Sequence, residues 1–139
     1  MVRSLTRIGL VLLGIPAIVI GIWGAFTPRS FYDDFPGLGH VWVAQVGPYN
    51  EHLVRDVGSL YLAMAIVTIA AAVTLSVVLT RWVLVAWLVQ GVLHVVYHAR
   101  HLGPFSTGDQ VSMIASLALV PIVAGGLLLA DWGSRRAVS

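Results

Sequence analysis

Apolar residues fall into four long runs separated by polar segments. The runs cover residues 8–26, 57–79, 82–101 and 111–130. A helix of roughly 20 residues crosses the ~30 Å hydrocarbon core of a bilayer, so each run is long enough for one transmembrane helix. The pattern therefore predicts a single all-α domain over residues 1–139 that forms an integral membrane four-helix bundle.

The predicted connections between these helices differ greatly in length. A tight turn at residues 80–81 joins the second and third helices, whereas the first connection covers residues 27–50. A connection of about two dozen residues exceeds the usual structureless loop, so we expect it to cover something or to fold onto the bundle. Asn50 is a suitable N-cap for the second helix, and Ser106 with Asp109 suits the start of the fourth.

Arginines near the helix ends predict the orientation of the chain. With both termini inside, the inner face holds more arginines than the outer face. The inner group is Arg3, Arg7, Arg81, Arg135 and Arg136, and the outer group is Arg29, Arg55 and Arg100. By the positive-inside rule, this excess predicts an N-in, C-in multi-pass protein of the cytoplasmic membrane, with the long loop outside.

Composition agrees with this interpretation and removes several functional classes. Hydrophobic residues make up 58% of the chain, charged residues make up 10%, and the mean hydropathy is +0.90. A soluble domain usually has about a quarter of its residues charged, so a water-soluble fold is excluded. The arginines are scattered, which argues against a nucleic-acid partner. The lack of cysteine removes thiolate metal and redox centres.

The few polar side chains collect at one end of the predicted bundle. Under the predicted topology all five histidines lie toward the outer half, and so do the acidic residues other than Asp131. Ionisable and strongly polar groups at membrane depth are costly, usually face the bundle interior and indicate function by default. This asymmetry is the main functional signal in the sequence.

Two short segments hold most of these polar groups. At the entrance of the second helix, His52 and Asp56 are four positions apart and share a face, with Arg55 about 60° to the side. On the third helix, a rotation of about 100° per residue aligns another set into one stripe along the outer half. That stripe contains Gln90, His94, Tyr97, His98 and His101.

A hairpin estimate relates the depths of the two segments. If the turn lies at residues 80–81, residues whose numbers sum to about 161 are level, at roughly 1.5 Å per residue. Asp56 then lies about one turn above His101, whereas His94 lies too deep for either acid of the second helix. We therefore expect His101 to approach Asp56, with Asp109 as the alternative carboxylate.

A metal site is the first interpretation of the stripe. Imidazoles at i and i+4 can hold one ion from a helix, and zinc, copper and iron all accept several histidines with a carboxylate. The predicted ligands are His94, His98 and His101, completed by His52 or Asp56. Glu51 is the only glutamate, which argues against a carboxylate-bridged di-iron bundle.

Two further interpretations stay open. A b-type haem needs axial histidines from facing helices at matching depth, and two subunits could each give one. Alternatively, Gln90, Tyr97 and Arg55 bind a cofactor or polar head group without a metal, or the histidines relay protons. The protein is then a binding module or accessory subunit that contacts a lipid, a quinone or a protein partner, as a homo-oligomer or in a membrane complex. No nucleophile or base identifies an enzymatic reaction.

The entrance of the second helix also resembles a known family. Residues 54–62, Val-Arg-Asp-Val-Gly-Ser-Leu-Tyr-Leu, are similar to the Arg-x-x-Gly signature of small DoxX-like four-helix membrane proteins, and the size and span count agree. The resemblance implies a four-helix membrane fold and an association with membrane oxidoreductases that pass electrons to quinone. The histidine-rich run at residues 94–101 and the lack of cysteine depart from that family's pattern.

Overall fold

The computed structural model describes the backbone of residues 2–136 and the side chains of residues 3–133. In this range the chain forms five α-helices, a two-stranded antiparallel hairpin and one short 3-10 helix. The elements are α1 (Val2–Phe26), α2 (Pro28–Asp34), β1 (Pro36–Gly37), β2 (His40–Val41), the 3-10 helix (Val43–Gln45), α3 (Glu51–Thr74), α4 (Val77–Ala99) and α5 (Thr107–Arg136). The predicted all-α class is confirmed.

Four helices in the described part of the chain are long and apolar enough to cross a membrane. They are Arg3–Phe26, Glu51–Thr74, Val77–Ala99 and Thr107–Gly133. Polar caps begin two of them, as predicted: Asn50 Oδ1 accepts from the Leu53 amide at 3.1 Å, and Ser106 Oγ accepts from the Asp109 amide at 3.2 Å. The four helices are what a multi-pass membrane protein requires.

The turn between α3 and α4 lies at Leu75 and Ser76, so the predicted turn at residues 80–81 is wrong. Leu75 is left-handed (φ 48°, ψ 33°), and its N–H donates to the Ala71 carbonyl at 2.8 Å, which ends α3. Ser76 is extended and begins α4. No glycine or proline marks this turn, so the apolar pattern does not reveal it. Residues of α3 and α4 whose numbers sum to about 151 are therefore level.

Glycines allow the long helices to approach one another closely. A Cβ added to Gly58 of α3 would lie 2.2 Å from the Ala25 backbone nitrogen of α1, and one added to Gly91 of α4 would lie 2.7 Å from Pro121 Cδ of α5. The bundle therefore consists of two tight pairs, α1 with α3 and α4 with α5. The buried apolar core draws on all four helices and contains Leu10, Leu13, Ala17, Ala65, Ala71, Ala72, Val83, Leu84, Trp87 and Ala124.

The long connection between α1 and α3 has its own secondary structure. It contains α2, the hairpin and the 3-10 helix, and the hairpin reverses through Gly37, Leu38 and Gly39, which all have positive φ. Three aromatic rings of the connection, those of Phe31, Phe35 and Trp42, pack on one another. Phe31 and Phe35 also pack on Trp23 of α1. We call this end of the bundle the loop end, and the opposite end, where α1 begins and α5 finishes, the terminal end.

Candidate functional site

The polar stripe of α4 begins with hydrogen bonds that link it to α3. Gln90 Nε2 donates to the Tyr61 hydroxyl at 3.1 Å and to His94 Nδ1 at 3.1 Å. With Nδ1 as the acceptor, a neutral His94 carries its proton on Nε2. All three side chains are partly buried. The α3–α4 turn places Tyr61 and Gln90 at the same height, which is why they meet.

His98 continues the stripe one turn beyond His94. The two ring centroids are 4.8 Å apart, with the planes inclined by 46°. His98 Nδ1 is buried and has no hydrogen-bond partner among the described residues. Because buried polar atoms are nearly always hydrogen-bonded, this nitrogen is the unsatisfied end of the series. We call Gln90, His94 and His98 the α4 row.

Tyr97 and His101 form an exposed pair beside the α4 row. Their rings stack with centroids 4.2 Å apart, and His101 Nδ1 donates to the Tyr97 carbonyl at 2.7 Å. Tyr97 also meets His98 edge to face at 5.4 Å. His101 stacks on Tyr97, whereas the ring contact between histidines of the predicted stripe is the one between His94 and His98.

The second predicted segment does not join the α4 row. His52 Nε2 and Asp56 Oδ2 pair at 3.1 Å on an exposed face of α3, where the His52 side chain is 88% exposed. Arg55 donates to Glu51 Oε1 at 2.9 Å and to the Ala25 carbonyl near the end of α1. Arg55 thus ties α3 to α1, and within the described residues the two predicted segments do not form one site.

The expected approach of His101 to Asp56 is wrong. With the turn at residues 75–76, Asp56 is level with about residue 95 and His101 with about Asn50. Asp56 therefore stands near the height of His94, but its carboxylate bonds His52 on the exposed side of α3. The rotation of α3 about its own axis, rather than depth, separates the acid from the α4 row.

The described residues contain no group of three or more His, Asp or Glu side chains that could hold a metal ion. The predicted ligand set of His94, His98, His101, His52 and Asp56 is therefore not assembled within one chain. Only His94 and His98 have adjacent rings on the face of the α4 row. A haem held by one chain lacks a second axial ligand from α3 for the same reason, because the α3 histidine is the exposed His52.

Asp109, the alternative carboxylate, is engaged by the loop. Its Oδ1 accepts from His40 Nδ1 at 2.7 Å and from Trp42 Nε1 at 2.9 Å, and its Oδ2 accepts from Ser106 Oγ at 2.7 Å. The Asp109 side chain is only 16% exposed. These bonds fasten the hairpin segment to the start of α5, so Asp109 closes the loop end and does not complete the α4 row.

Two polar residues of α3 that the sequence pattern does not single out lie against α4. Tyr61 accepts from Gln90, and the buried Thr68 accepts from Trp87 Nε1 at 2.9 Å. They are seven positions apart and therefore share one face of α3. The spacing of polar side chains at i and i+7 within an otherwise apolar run is the signal that could have found them.

Comparison of the chain with protein-family models, with curated proteins and with solved structures gives no match in any of the three. The resemblance of residues 54–62 to DoxX-like proteins thus stays a prediction. Function has to be inferred from the geometry of the site, since a four-helix architecture alone carries many activities.

Proposed function

We propose that the protein binds the hydrogen-bonding head group of a small membrane-dissolved molecule, such as a quinone, at the α4 row and without a metal. The supporting observation is the series of hydrogen bonds from Tyr61 through Gln90 to His94, which stops beside the unpartnered Nδ1 of His98. A neutral imidazole offers one donor and one acceptor. Two adjacent imidazoles therefore suit a carbonyl or hydroxyl head group.

Exposed apolar side chains at the height of the α4 row favour a ligand that is mostly apolar. Leu60 of α3 and Leu93 of α4 are 65% and 66% exposed, and both belong to helices apolar enough to span a membrane. A ligand tail can lie against such side chains while its head group meets His94 and His98. Small-molecule sites are typically apolar, with a few polar groups that orient the ligand.

We base a proposal for the position of the site in the cell on the arginine distribution. In the N-in, C-in orientation, the α4 row lies in the outer half of the cytoplasmic membrane. Four transmembrane helices enclose little volume, so we propose that the protein acts as a homo-oligomer or as an accessory subunit of a membrane complex. A cytoplasm-active reporter fused after residue 139 checks the orientation, because activity requires the C-terminus to be inside.

Equilibrium dialysis of a short-chain ubiquinone analogue against the detergent-purified full chain tests the binding proposal. We expect His98→Ala and Gln90→Leu each to weaken binding about tenfold, since one hydrogen bond contributes about 1–1.5 kcal/mol. His52→Ala is the matched control, because it removes an exposed histidine outside the α4 row. Failure of the wild-type chain to bind, or an equal loss in His52→Ala, contradicts the proposal.

A second candidate function is a metal site that uses only two of the predicted histidine ligands from each chain. The adjacent rings of His94 and His98 provide two nitrogen ligands, and the same pair from a second copy would complete a tetrahedral zinc site. Elemental analysis for zinc, copper and iron, with an absorption spectrum for haem, separates the candidates. One ion per two chains that is lost in His94→Ala and retained in His52→Ala supports the metal; quinone binding by metal-free protein supports the first proposal.

A further inference from the structure

The terminal end of the bundle contains a cavity that is separate from the α4 row. Its volume is about 400 Å³, and it is lined by the start of α1, the α3–α4 turn and the end of α5. The lining includes the polar residues Arg3, Thr80, Arg81 and Asp131 and the apolar residues Leu84 and Leu127. An apolar wall with a few polar groups, in a volume of about 300–1,000 Å³, is typical of a small-ligand site.

Thr80 is the clearest indication of a ligand in this cavity. It is 8% exposed, and its Oγ1 is buried with no hydrogen-bond partner among the described residues. By contrast, the hydroxyls of Thr68 and Thr74 donate to the carbonyls four residues earlier, a common arrangement for threonine in a helix. Thr80 therefore lines the cavity with a hydroxyl whose bonding capacity no described residue uses.

Arg81 contributes a positive charge that is already held in position. Its Nε and Nη2 both approach Asp131 Oδ2 at 2.7 Å. A guanidinium has five N–H donors in a planar fork, so donors remain for an anion after this bond. With Arg3, the wall carries two positive charges and one negative charge. Among the described lining residues the positive charges outnumber the negative one, which favours an anionic ligand.

We propose that this cavity binds a phosphate group with one negative charge, as in the phosphodiester of an anionic phospholipid, through the Thr80 hydroxyl and the guanidiniums of Arg3 and Arg81. Arginine is well suited to phosphate oxygens because its donors form a fork. Leu84 and Leu127 give the acyl part of a lipid an apolar surface. Basic pockets between transmembrane helices on the cytoplasmic side bind lipid head groups, which agrees with the N-in, C-in orientation.

Native mass spectrometry of the detergent-purified full chain tests this proposal with phosphatidylglycerol, phosphatidylcholine and inorganic phosphate added separately. We expect phosphatidylglycerol to bind about tenfold more tightly than phosphatidylcholine, whose choline cation is repelled by the arginines. Thr80→Val and Arg3→Gln should each weaken phosphatidylglycerol binding about tenfold. Thr80→Ser keeps the hydroxyl and should bind phosphatidylglycerol as tightly as the wild type. Arg29→Gln, which removes the same charge at the loop end, is the matched control.

The arms of this experiment distinguish the two sources of phosphate. Binding of phosphatidylglycerol that inorganic phosphate does not displace identifies a lipid, whereas binding of inorganic phosphate that is lost in Thr80→Val identifies a free anion. Equal phosphatidylglycerol binding by the wild type and Thr80→Val overturns the proposal, as does a lack of binding in both arms. Thr80→Val removes an unpartnered hydroxyl, so its thermal unfolding without lipid should match that of the wild type.

Discussion

Thr68 and Trp87 show how a polar group is accommodated at the centre of the bundle. Trp87 Nε1 donates to Thr68 Oγ1 at 2.9 Å, and the Thr68 hydroxyl donates to the Met64 carbonyl at 2.6 Å. Both residues are almost fully buried. A buried donor without an acceptor costs about 1–3 kcal/mol, so this pair favours one rotation of α4 against α3, the rotation that also brings Gln90 to Tyr61.

Replacing Thr68 with valine removes the acceptor while keeping the shape of the side chain. We expect Thr68→Val to lower the free energy of unfolding by about 1–2 kcal/mol, because the Trp87 N–H is left buried and unpaired. Ser112→Ala is the control: its hydroxyl donates to the Gly108 carbonyl on the exposed surface of α5, and the expected change is within about 0.5 kcal/mol. Denaturation in mixed detergent micelles measures both. Equal stability of the two variants would show that the indole does not need this hydroxyl.

At the scale of helices, glycine determines how closely neighbours approach. Gly58 lies against the backbone of α1 at Ala25, and Gly91 lies against Pro121 of α5. Neither a backbone atom nor an atom of the rigid proline ring can move aside as the end of a flexible side chain can, so a methyl group at either glycine separates two helices. Small residues at helix interfaces have this role in many membrane proteins, because they allow close van der Waals contact.

Gly58→Ala tests this role of glycine between α1 and α3. The new Cβ would lie 2.2 Å from Ala25 N, so we expect a loss of about 1–3 kcal/mol in unfolding free energy from overpacking. Gly126→Ala in α5 is the matched control, since its Cβ would have no neighbour within 4 Å among the described residues. There alanine should leave stability unchanged or raise it by up to about 1 kcal/mol through helix propensity. Unfolding curves in detergent that rank the two variants alike would refute the close-contact explanation.

At the scale of the whole molecule, the loop is held at both sides of the bundle. On one side its aromatic rings pack on Trp23 of α1, and on the other His40 and Trp42 donate to Asp109 at the start of α5. Most loops have weaker links to the elements they join and open locally at low free-energy cost. These bonds are expected to make the opening of this loop less frequent.

Trp42→Phe tests the contribution of the Asp109 contact. The substitution keeps an aromatic ring next to Phe35 but removes the N–H that bonds Asp109. We expect amide hydrogen exchange over residues 36–46 to become about tenfold faster, because one hydrogen bond contributes about 1–1.5 kcal/mol. Asp33→Asn, which breaks the exposed pair with Arg29, should change exchange little. Exchange by Trp42→Phe at the wild-type rate would mean that the bond from the Trp42 indole to Asp109 does not limit the opening of the loop.

The sequence by itself determined that the fold is all-α and that it contains four long apolar helices. Helix length and apolarity are properties of a single segment, so they can be read without knowing what the segment contacts. The caps formed by Asn50 and Ser106 are equally local, because each side chain bonds an amide three residues away. Orientation and the DoxX-like resemblance stay predictions at this level.

Only the tertiary structure decided which polar side chains meet. A left-handed Leu75 within an apolar segment has no distinctive composition, yet it sets the register of the α3–α4 hairpin. That register brings Tyr61 to Gln90, while the rotation of α3 directs His52 and Asp56 outward to each other. The physical reason is that a contact depends on depth and rotation together, and both change when the position of one turn changes.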